Sequence, residues 1–464
     1  MTEVQPPLTF IPPSFNPLVL KFAKIILPWY LKFQTNISTI EGENLDTFRE
    51  LYQRFAAQKI RLLFAFRHPS TNDPLCMAHL FWHLAENYAR NQGFKFKIPI
   101  HAHFMYDRGI PLWAGDWVGW LYAHLGGSSI QRGKLDLLGL KSARNLFVNG
   151  TFPLAAAPEG ATNGHNEIMS PLEPGIAQLG FWCVDDLLKA QRQEEVIFLP
   201  IGIKYNFLES PWRAIANLLT ELEQEAGIET KQPLKLSSNK ISEAEKEILY
   251  QRLFRLGEAL LAEMEHFYHK FYHQPLESIN QDAQENQRET QPNKLFAQRL
   301  RRLLDTALKV AEGYFNIKAK GDLTDRCRRL EQAGWDYIYR EDFKDSEQKS
   351  TVERGLANHL AEEATMAMWH MRLVESFVSV TGSYVKENLS GERFAETLMI
   401  IWDLITRLKG GNPFLRPLLG KQRVKLTMGE AISVSSRWGD YQKNRRQAIA
   451  SLTQDLQLAL AKML

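Results

Sequence analysis

Residues Ile60 to Pro74 read IRLLFAFRHPSTNDP, and the reading of this stretch decides the fold. The apolar run Leu62-Leu63-Phe64-Ala65-Phe66 has the length and flanks of a buried strand. It delivers Arg67-His68, and Asp73 follows a short way on with Pro74 directly after it. Asp-Pro ahead of LCMAHLFWHLAENYAR reads as an N-cap, a proline at N1 and an amphipathic helix. His68 therefore leaves the end of a strand, and Asp73 sits at the mouth of a helix. The turn between them can fold the two side chains together. A carboxylate bonded to one imidazole nitrogen fixes the tautomer and leaves the other nitrogen free to take a proton. The same hexad also reads as a helix cap and a loop histidine, and taken alone it leaves both readings open.

Outward from this stretch, strands and helices alternate. Asn36 to Gly42, NISTIEG, alternates like a short strand, and Glu43-Asn44-Leu45 opens a helix through about Ala57. FKFKIPIHAHF, Phe94 to Phe104, predicts a second strand. GIPLWAGDWVGWLYAHLGG predicts one aromatic-rich helix stopped by Gly126-Gly127. Ser128 to Gly133 is a short extended piece that ends in Arg132 beside a glycine, and Leu135 to Asn149 is helical. Leu154 to Ala157 is a small-residue strand running into Pro158-Glu159-Gly160. Val196 to Tyr205, VIFLPIGIKY, is the last clear buried strand of this half, and Pro200 within it predicts an edge position or a bulge. Such alternation means an α/β fold, a mixed sheet covered by helices.

From about Asn206 long amphipathic helices dominate, at 210–226, 241–273, 292–316, 350–380 and 390–408, with a solvated Gln/Asn/Glu-rich linker from Gln274 to Gln291. The β signal returns once, in Arg423 to Ser433, before a closing helix from Tyr441 to Met463. The expected organisation is an interfacial N-terminal segment 1–35, a sheet domain 36–206, a large all-helical region 207–420 inserted into it, and a last strand and helix, 421–464, that return to the first sheet. Insertion is physically cheap, because closure entropy grows only slowly with loop length. The alternative is a plain two-domain chain with 423–433 as a hairpin of the helical half.

With 464 residues, 44% hydrophobic and 23% charged, the chain has room for two or three domains with their own cores. A formal net charge of +3 is too small to argue for a nucleic-acid partner. Cys76, Cys183 and Cys327 lie far apart with no C-x-x-C pair, which fits a reducing compartment and argues against disulfides and zinc ribbons. The start MTEVQPPLTFIPPS lacks the basic n-region of a signal peptide, and no stretch reaches eighteen uninterrupted apolar residues. Phe15 to Phe33, FNPLVLKFAKIILPWYLKF, carries Lys21, Lys24 and Lys32 with Trp29 and Tyr30. It reads equally as a helix lying in a membrane interface and as a core helix with snorkelling lysines.

Four pieces stand in order at strand ends: His68-x4-Asp73, Gly126 to Arg132, Pro158-Glu159-Gly160, and Ile197-Phe198-Leu199-Pro200-Ile201. Open α/β sheets put their sites at such ends. Together the four resemble the motifs of the glycerolipid acyltransferases related to lysophosphatidic acid acyltransferase, over residues from about 36 to 206. The resemblance implies an acyltransferase of phospholipid biosynthesis or remodelling, peripheral on the cytoplasmic side of a membrane. It implies His68 as general base and Asp73 as its orienting carboxylate. The acyl thioester of coenzyme A or acyl carrier protein is then co-substrate, with no further cofactor and no metal. Arg132, helped by Lys134, would hold an acceptor phosphate, with Gly127, Glu159 and Gly160 on the acceptor side and Pro200 beside the site. Departures bear on the acceptor. Arg67 stands where asparagine is usual, Ser129 where an aromatic is common, and Ala161-Thr162 where threonine and arginine are usual, so Arg67 would replace the missing cation. The closing strand carries Ala431 where proline is usual. The rival class is a lipid-binding scaffold on a degenerate acyltransferase fold.

Other histidines carry weaker signals. His79 and His83 share a helix face but lack the glutamate of H-E-x-x-H. His101 and His103 point to one side of a strand and could line the pocket. His266, His269 and His273 with Glu263 read as the wet face of a charged helix.

Overall fold

The computed structural model describes residues 2–96, 98–131, 136–229, 236, 238–276, 292–345, 348–378, 380–413 and 415–464. They divide into an α/β unit, Thr9–Leu208 with Lys421–Leu464, and a helical unit, Met1–Leu8 with Glu209–Gly420.

The α/β unit is built on eight strands: β1 (Ile37–Glu43), β2 (Ile60–Phe66), β3 (His103–Asp107), β4 (Gly127–Ile130), β5 (Leu154–Ala156), β6 (Glu195–Phe207), β7 (Gln422–Met428) and β8 (Ile432–Ser433). Their order is β1-β7-β6-β2-β5-β3-β4, with β8 also beside β6. Pairing is parallel from β6 through β4, antiparallel between β6 and β7, and parallel again between β7 and β1. All of β2 is buried, and its side chains alternate. Leu62, Phe64 and Phe66 join one core, while Leu63 and Ala65 join the other. Burying a side chain of this size contributes about 1.5–3 kcal/mol, so β2 anchors both layers.

The first layer is made by α1 (Pro17–Gln34), α2 (Leu45–Ala56), α3 (Asp73–His79) and α4 (Ala85–Asn91), the last two joined through a π-turn at Leu80–Leu84. After α5 (Ile110–Ala114) and α6 (Asp116–His124), the second layer is made by α7 (Leu137–Asn149) and α8 (Pro174–Lys189). The helical unit contributes α9 (Trp212–Glu225), α10 (Glu243–Tyr272), α11 (Pro292–Phe315), α12 (Leu323–Ile338), α13 (Thr351–Glu375), α14 (Tyr384–Glu387) and α15 (Gly391–Leu408). The chain then closes the second layer with α16 (Trp438–Lys443) and α17 (Arg445–Ala461).

β7 occupies an inner place in the sheet, with Val424 opposite Tyr205 and Met428 opposite Ile201. The chain leaves the sheet and comes back at one point, where the Leu208 N–H donates to the Lys421 carbonyl at 2.9 Å. The first residues belong with the helical unit: the Gln5 N–H donates to the Ile338 carbonyl at 2.7 Å, and Gln5 accepts from the Arg340 N–H. The stretch 1–35 is thus divided between the two units. Helix α1 turns Leu20, Leu27 and Leu31 inward and leaves Leu18, Phe22, Ile25, Trp29 and Phe33 exposed. Among the described residues no helix is long and apolar enough to cross a membrane.

Three local expectations are corrected. The described residues of 94–102 form no strand, and β3 begins only at His103. The alternating FKFKIPIHA segment finds a side-chain partner for its backbone: the buried Tyr52 hydroxyl meets the Pro99 and His101 carbonyls at 3.0 and 3.2 Å and the His101 N–H at 3.1 Å. The aromatic-rich helix is broken at Gly115, whose φ of +96° no helix tolerates. Helix α12 was not expected. Asp322 caps it by accepting the Asp325 N–H, and Cys327, Leu330, Trp335 and Ile338 carry its buried stripe. Its many arginines obscure that stripe in the sequence. Most of the Gln274–Gln291 linker lies outside the described residues.

Candidate active site

The Arg67 N–H extends the β2 ladder by one bond, to the Ile201 carbonyl at 3.0 Å. The chain then turns through Pro69–Asn72 into α3. Asn72, not Asp73, is the capping position, and Asp73 is the first helical residue with Pro74 next. That one-residue offset frees the Asp73 carboxylate from capping the helix. Its Oδ2 meets His68 Nδ1 at 2.9 Å and accepts the Ser70 N–H at 2.8 Å. Its Oδ1 accepts the Tyr205 hydroxyl at 2.5 Å. Asp73 is fully buried, whereas the His68 side chain keeps 21% of its surface. A carboxylate that only accepts places the proton on Nδ1 and leaves Nε2 with a lone pair. Among the described residues, no hydrogen bond to Nε2 is present. Burial pushes the Asp73 carboxyl above its ordinary value, and the bonds from His68, Tyr205 and the Ser70 amide oppose that rise.

Glu159 and Arg67 lie behind the pair and hold its backbone. Both side chains are wholly buried. Glu159 Oε1 accepts the His68 N–H at 2.8 Å and Arg67 Nε at 3.3 Å, and Oε2 accepts the Ser170 N–H at 3.0 Å. The other Arg67 nitrogens donate to the Asn166 carbonyl at 2.6 Å, the Ile168 carbonyl at 2.9 Å and the His165 carbonyl at 3.4 Å. Two expectations change accordingly. Arg67 is enclosed by these acceptors and cannot stand in for the missing phosphate-binding arginine. Glu159 is a bracket for the histidine turn rather than a wall facing an acceptor. Gly160, at φ +74°, makes the turn that lets Glu159 point back under His68.

The glycine-led motif is shaped by packing. A Cβ on Gly127 would stand 2.6 Å from the Phe104 ring and 2.9 Å from the Tyr122 carbonyl, so this glycine serves the contact of β3, β4 and α6. Buried Ser129, in place of an aromatic, receives Arg108 Nε at 3.4 Å, and Arg108 also binds Asp136, the cap of α7. Arg132 and Lys134 lie outside the described residues. Pro200 pairs with Ala65 of β2 without a bulge. Its carbonyl accepts the Gly429 N–H at 2.9 Å, so its nitrogen faces the interval between β7 and β8, where no ladder donor is needed.

His101 and His103 are held by hydrogen bonds within the α/β unit. His101 accepts from Trp82 Nε1 at 3.1 Å and its Nε2 meets the Leu125 carbonyl at 2.8 Å, while His103 Nδ1 meets the Gly126 carbonyl at 2.9 Å. Both rings are buried. Burial lowers His79 to about 4 and His101 to about 4. Among the described residues no group of three histidine, cysteine or acidic side chains is arranged to hold a metal ion. All three thiols are buried, and burial pushes each above its ordinary value, Cys183 to about 12. They are poorly suited to act as nucleophiles.

Sequence reasoning missed Tyr205, Asn166 and Ser70. For Tyr205 a signal existed. Strand alternation puts Ile197, Leu199, Ile201, Ile203 and Tyr205 on the layer that holds α3, and a polar-tipped aromatic at the end of such a row needs a partner. Compared with known proteins, the chain matches no family model, no curated protein and no solved structure.

Proposed function

We propose that the α/β unit is an O-acyltransferase that moves a fatty acyl group from an acyl thioester of coenzyme A or acyl carrier protein to a hydroxyl of a lysophospholipid or glycerol-phosphate acceptor. The observation that carries the reading is a partly exposed His68, with Nδ1 bound to a buried carboxylate and Nε2 unbonded among the described residues. Nε2 takes the acceptor hydroxyl proton as the oxygen attacks the thioester carbonyl. The tetrahedral adduct then expels the thiolate, which recovers the proton from the imidazolium. Base catalysis of this kind supplies about 10²–10⁴-fold. The inert thiols favour direct transfer over a cysteine-bound acyl intermediate.

The order of motifs His68-x4-Asp73, Gly126 to Arg132, Pro158-Glu159-Gly160 and the Pro200 strand supports the substrate class. With Arg67 enclosed, phosphate recognition falls to Arg132 and Lys134, and acceptors with less negative charge become the second reading. A lipid surface suits the exposed face of α1, where Leu18, Phe22, Ile25, Trp29 and Phe33 recur at helical spacing beside Lys21 and Lys32. Because the opposite face of α1 belongs to the core, Phe22→Ser with Trp29→Ser tests this better than truncation. Vesicle co-sedimentation that is unchanged in the double variant would count against α1 as the contact.

The deciding assay follows thiol release from a long-chain acyl-CoA and an acyl carrier protein thioester against 1-acylglycerol 3-phosphate, glycerol 3-phosphate and a neutral long-chain alcohol. Acceptor-dependent release is expected with at least one of them. No acceptor-dependent release with any pair would remove the reading.

A further inference from the structure

The proposed reaction needs the Asp73 carboxylate held in one orientation, and the structure surrounds it with a device that the His68–Asp73 pair does not itself contain. Beyond Ile201 the strand β2 has turned away from β6, so the β2-facing side of Tyr205 has lost its ladder partner. The Asn166 side chain fills that place. Its Oδ1 accepts the Tyr205 N–H at 2.8 Å and its Nδ2 donates to the Tyr205 carbonyl at 3.0 Å. Asn166 is itself tied by its carbonyl to Arg67. The other side of Tyr205 pairs with β7 opposite Val424. The Tyr205 backbone is therefore held on both sides, and its buried ring carries the hydroxyl to Asp73.

We propose that Tyr205 is a positioning residue for the His68–Asp73 pair, fixing the Asp73 carboxylate from below while Asn166 fixes Tyr205. Asp73 Oδ1 accepts the phenol and Oδ2 accepts Ser70 N–H and His68 Nδ1. Both oxygens are used, so rotation about the Cβ–Cγ bond would break at least one bond. The Cys76 thiol lies 3.5 Å from the phenol oxygen. An ionised carboxylate only accepts, so the phenol proton points to Asp73 and the thiol donates to the phenol oxygen. Burial and the neighbouring Asp73 push the phenol well above its ordinary value, so it remains a donor wherever the enzyme works. The ionisable groups around the carboxylate are His68 from the turn, Cys76 from α3, Tyr205 from β6, and Arg67 and Glu159 behind the turn. Tyr205 alone among them donates to Oδ1. It draws carboxylate charge away from the imidazole and sets how strongly Asp73 holds a proton on Nδ1.

This inference rests on the acyl-transfer reading for its kinetic arm only. Tyr205→Phe removes one oxygen and keeps the buried ring. In the full-length chain it should lower kcat roughly tenfold, leave KM for both substrates within about twofold, and move the acidic limb of the log kcat–pH profile to higher pH. That direction follows because a less-bonded Asp73 holds the imidazolium more tightly. The second arm needs no turnover. The proton on His68 Nδ1, assigned by its loss in His68→Gln, should give a downfield NMR resonance in the wild type that shifts or exchanges away in Tyr205→Phe. An unmoved resonance overturns the inference, and so does wild-type kcat with an unmoved profile. Absence of acyl transfer in the wild type would overturn the reaction instead, and the resonance would still decide the role of Tyr205.

Discussion

The two units bury polar groups in different ways. In the helical unit a buried arginine meets acids on neighbouring helices, and the pairs tie helix to helix. Arg326 gives Nε to Glu312 Oε1 at 2.7 Å, Nη2 to Glu312 Oε2 at 2.9 Å and Nη1 to Asp305. Arg252 reaches Glu223 in the same two-pronged way at 3.2 and 2.7 Å. In the α/β unit the buried chain of Glu159, Arg67, Asn166, Tyr205 and Asp73 leads outward to a histidine that is partly exposed. Such pairs pin helices. A network that opens at one imidazole is arranged to hold that imidazole still, which is the requirement of a base.

The largest expected effect separates the units as bodies. Ending the chain after Leu208 strips β6 and β1 of their shared neighbour β7 and removes α17 from the second core. That product should be insoluble. Joining Leu208 to Lys421 through a short Gly-Ser linker, with residues 1–8 removed, should give a soluble α/β unit that melts cooperatively, because those two residues are already hydrogen-bonded. Solubility and a thermal scan decide. A soluble, folded 1–208 fragment would show that β7 is not needed by the sheet.

A smaller effect compares one acid from each network. Glu159→Ala and Glu223→Ala each take the paired carboxylate from a buried arginine, Arg67 or Arg252, which costs about 3–5 kcal/mol. Denaturant melts should show similar losses. Acyl transfer per folded molecule should collapse only for Glu159→Ala, because that carboxylate also holds the His68 N–H. Equal activity in the two variants would erase the distinction between pairs that tie helices and a network that ends at His68.

Acid should sharpen the comparison further. His79 and His101 in the α/β unit fall to about 4, and His83 and His103 are lowered too, while His370 is the counterpart at about 4 in the helical unit. An unfolded histidine titrates near 6.5. Between about 6.5 and 4 the unfolded chain therefore binds protons that the folded chain refuses, and stability falls with pH. For His101 alone the loss from pH 7 to pH 5 is about 2 kcal/mol. Asp73, raised by burial, works in the opposite direction as a single group. Peptide-resolved hydrogen exchange at pH 7 and pH 5 should show the α/β unit losing more protection than the helical unit.

Much of this arrangement was legible in the residues. The run Leu62 to Phe66 announced a strand buried on both faces, and His68 with Asp73 announced a pair. Arg423 to Met428 carried an alternating pattern out of keeping with the helices before it. Other features were hidden because their partners are distant in sequence. Arg67 looked like a spare cation until Glu159 and the Asn166 and Ile168 carbonyls enclosed it. Phe94 to Ala102 alternates like a strand, but the Tyr52 hydroxyl takes the Pro99 carbonyl and the His101 backbone. Tyr205 looked like the end of an apolar row, and its role depends on an asparagine 39 residues earlier.

The central claim is that His68 is the group toward which the buried network of the α/β unit is built. Acyl transfer and melting temperature measured together for His68→Ala test it most directly. The account predicts turnover lower by about 10²–10⁴-fold with a melting temperature close to wild type, since the ring is partly exposed while Asp73 and Tyr205 remain buried behind it. Near-wild-type turnover in a folded His68→Ala protein would contradict it.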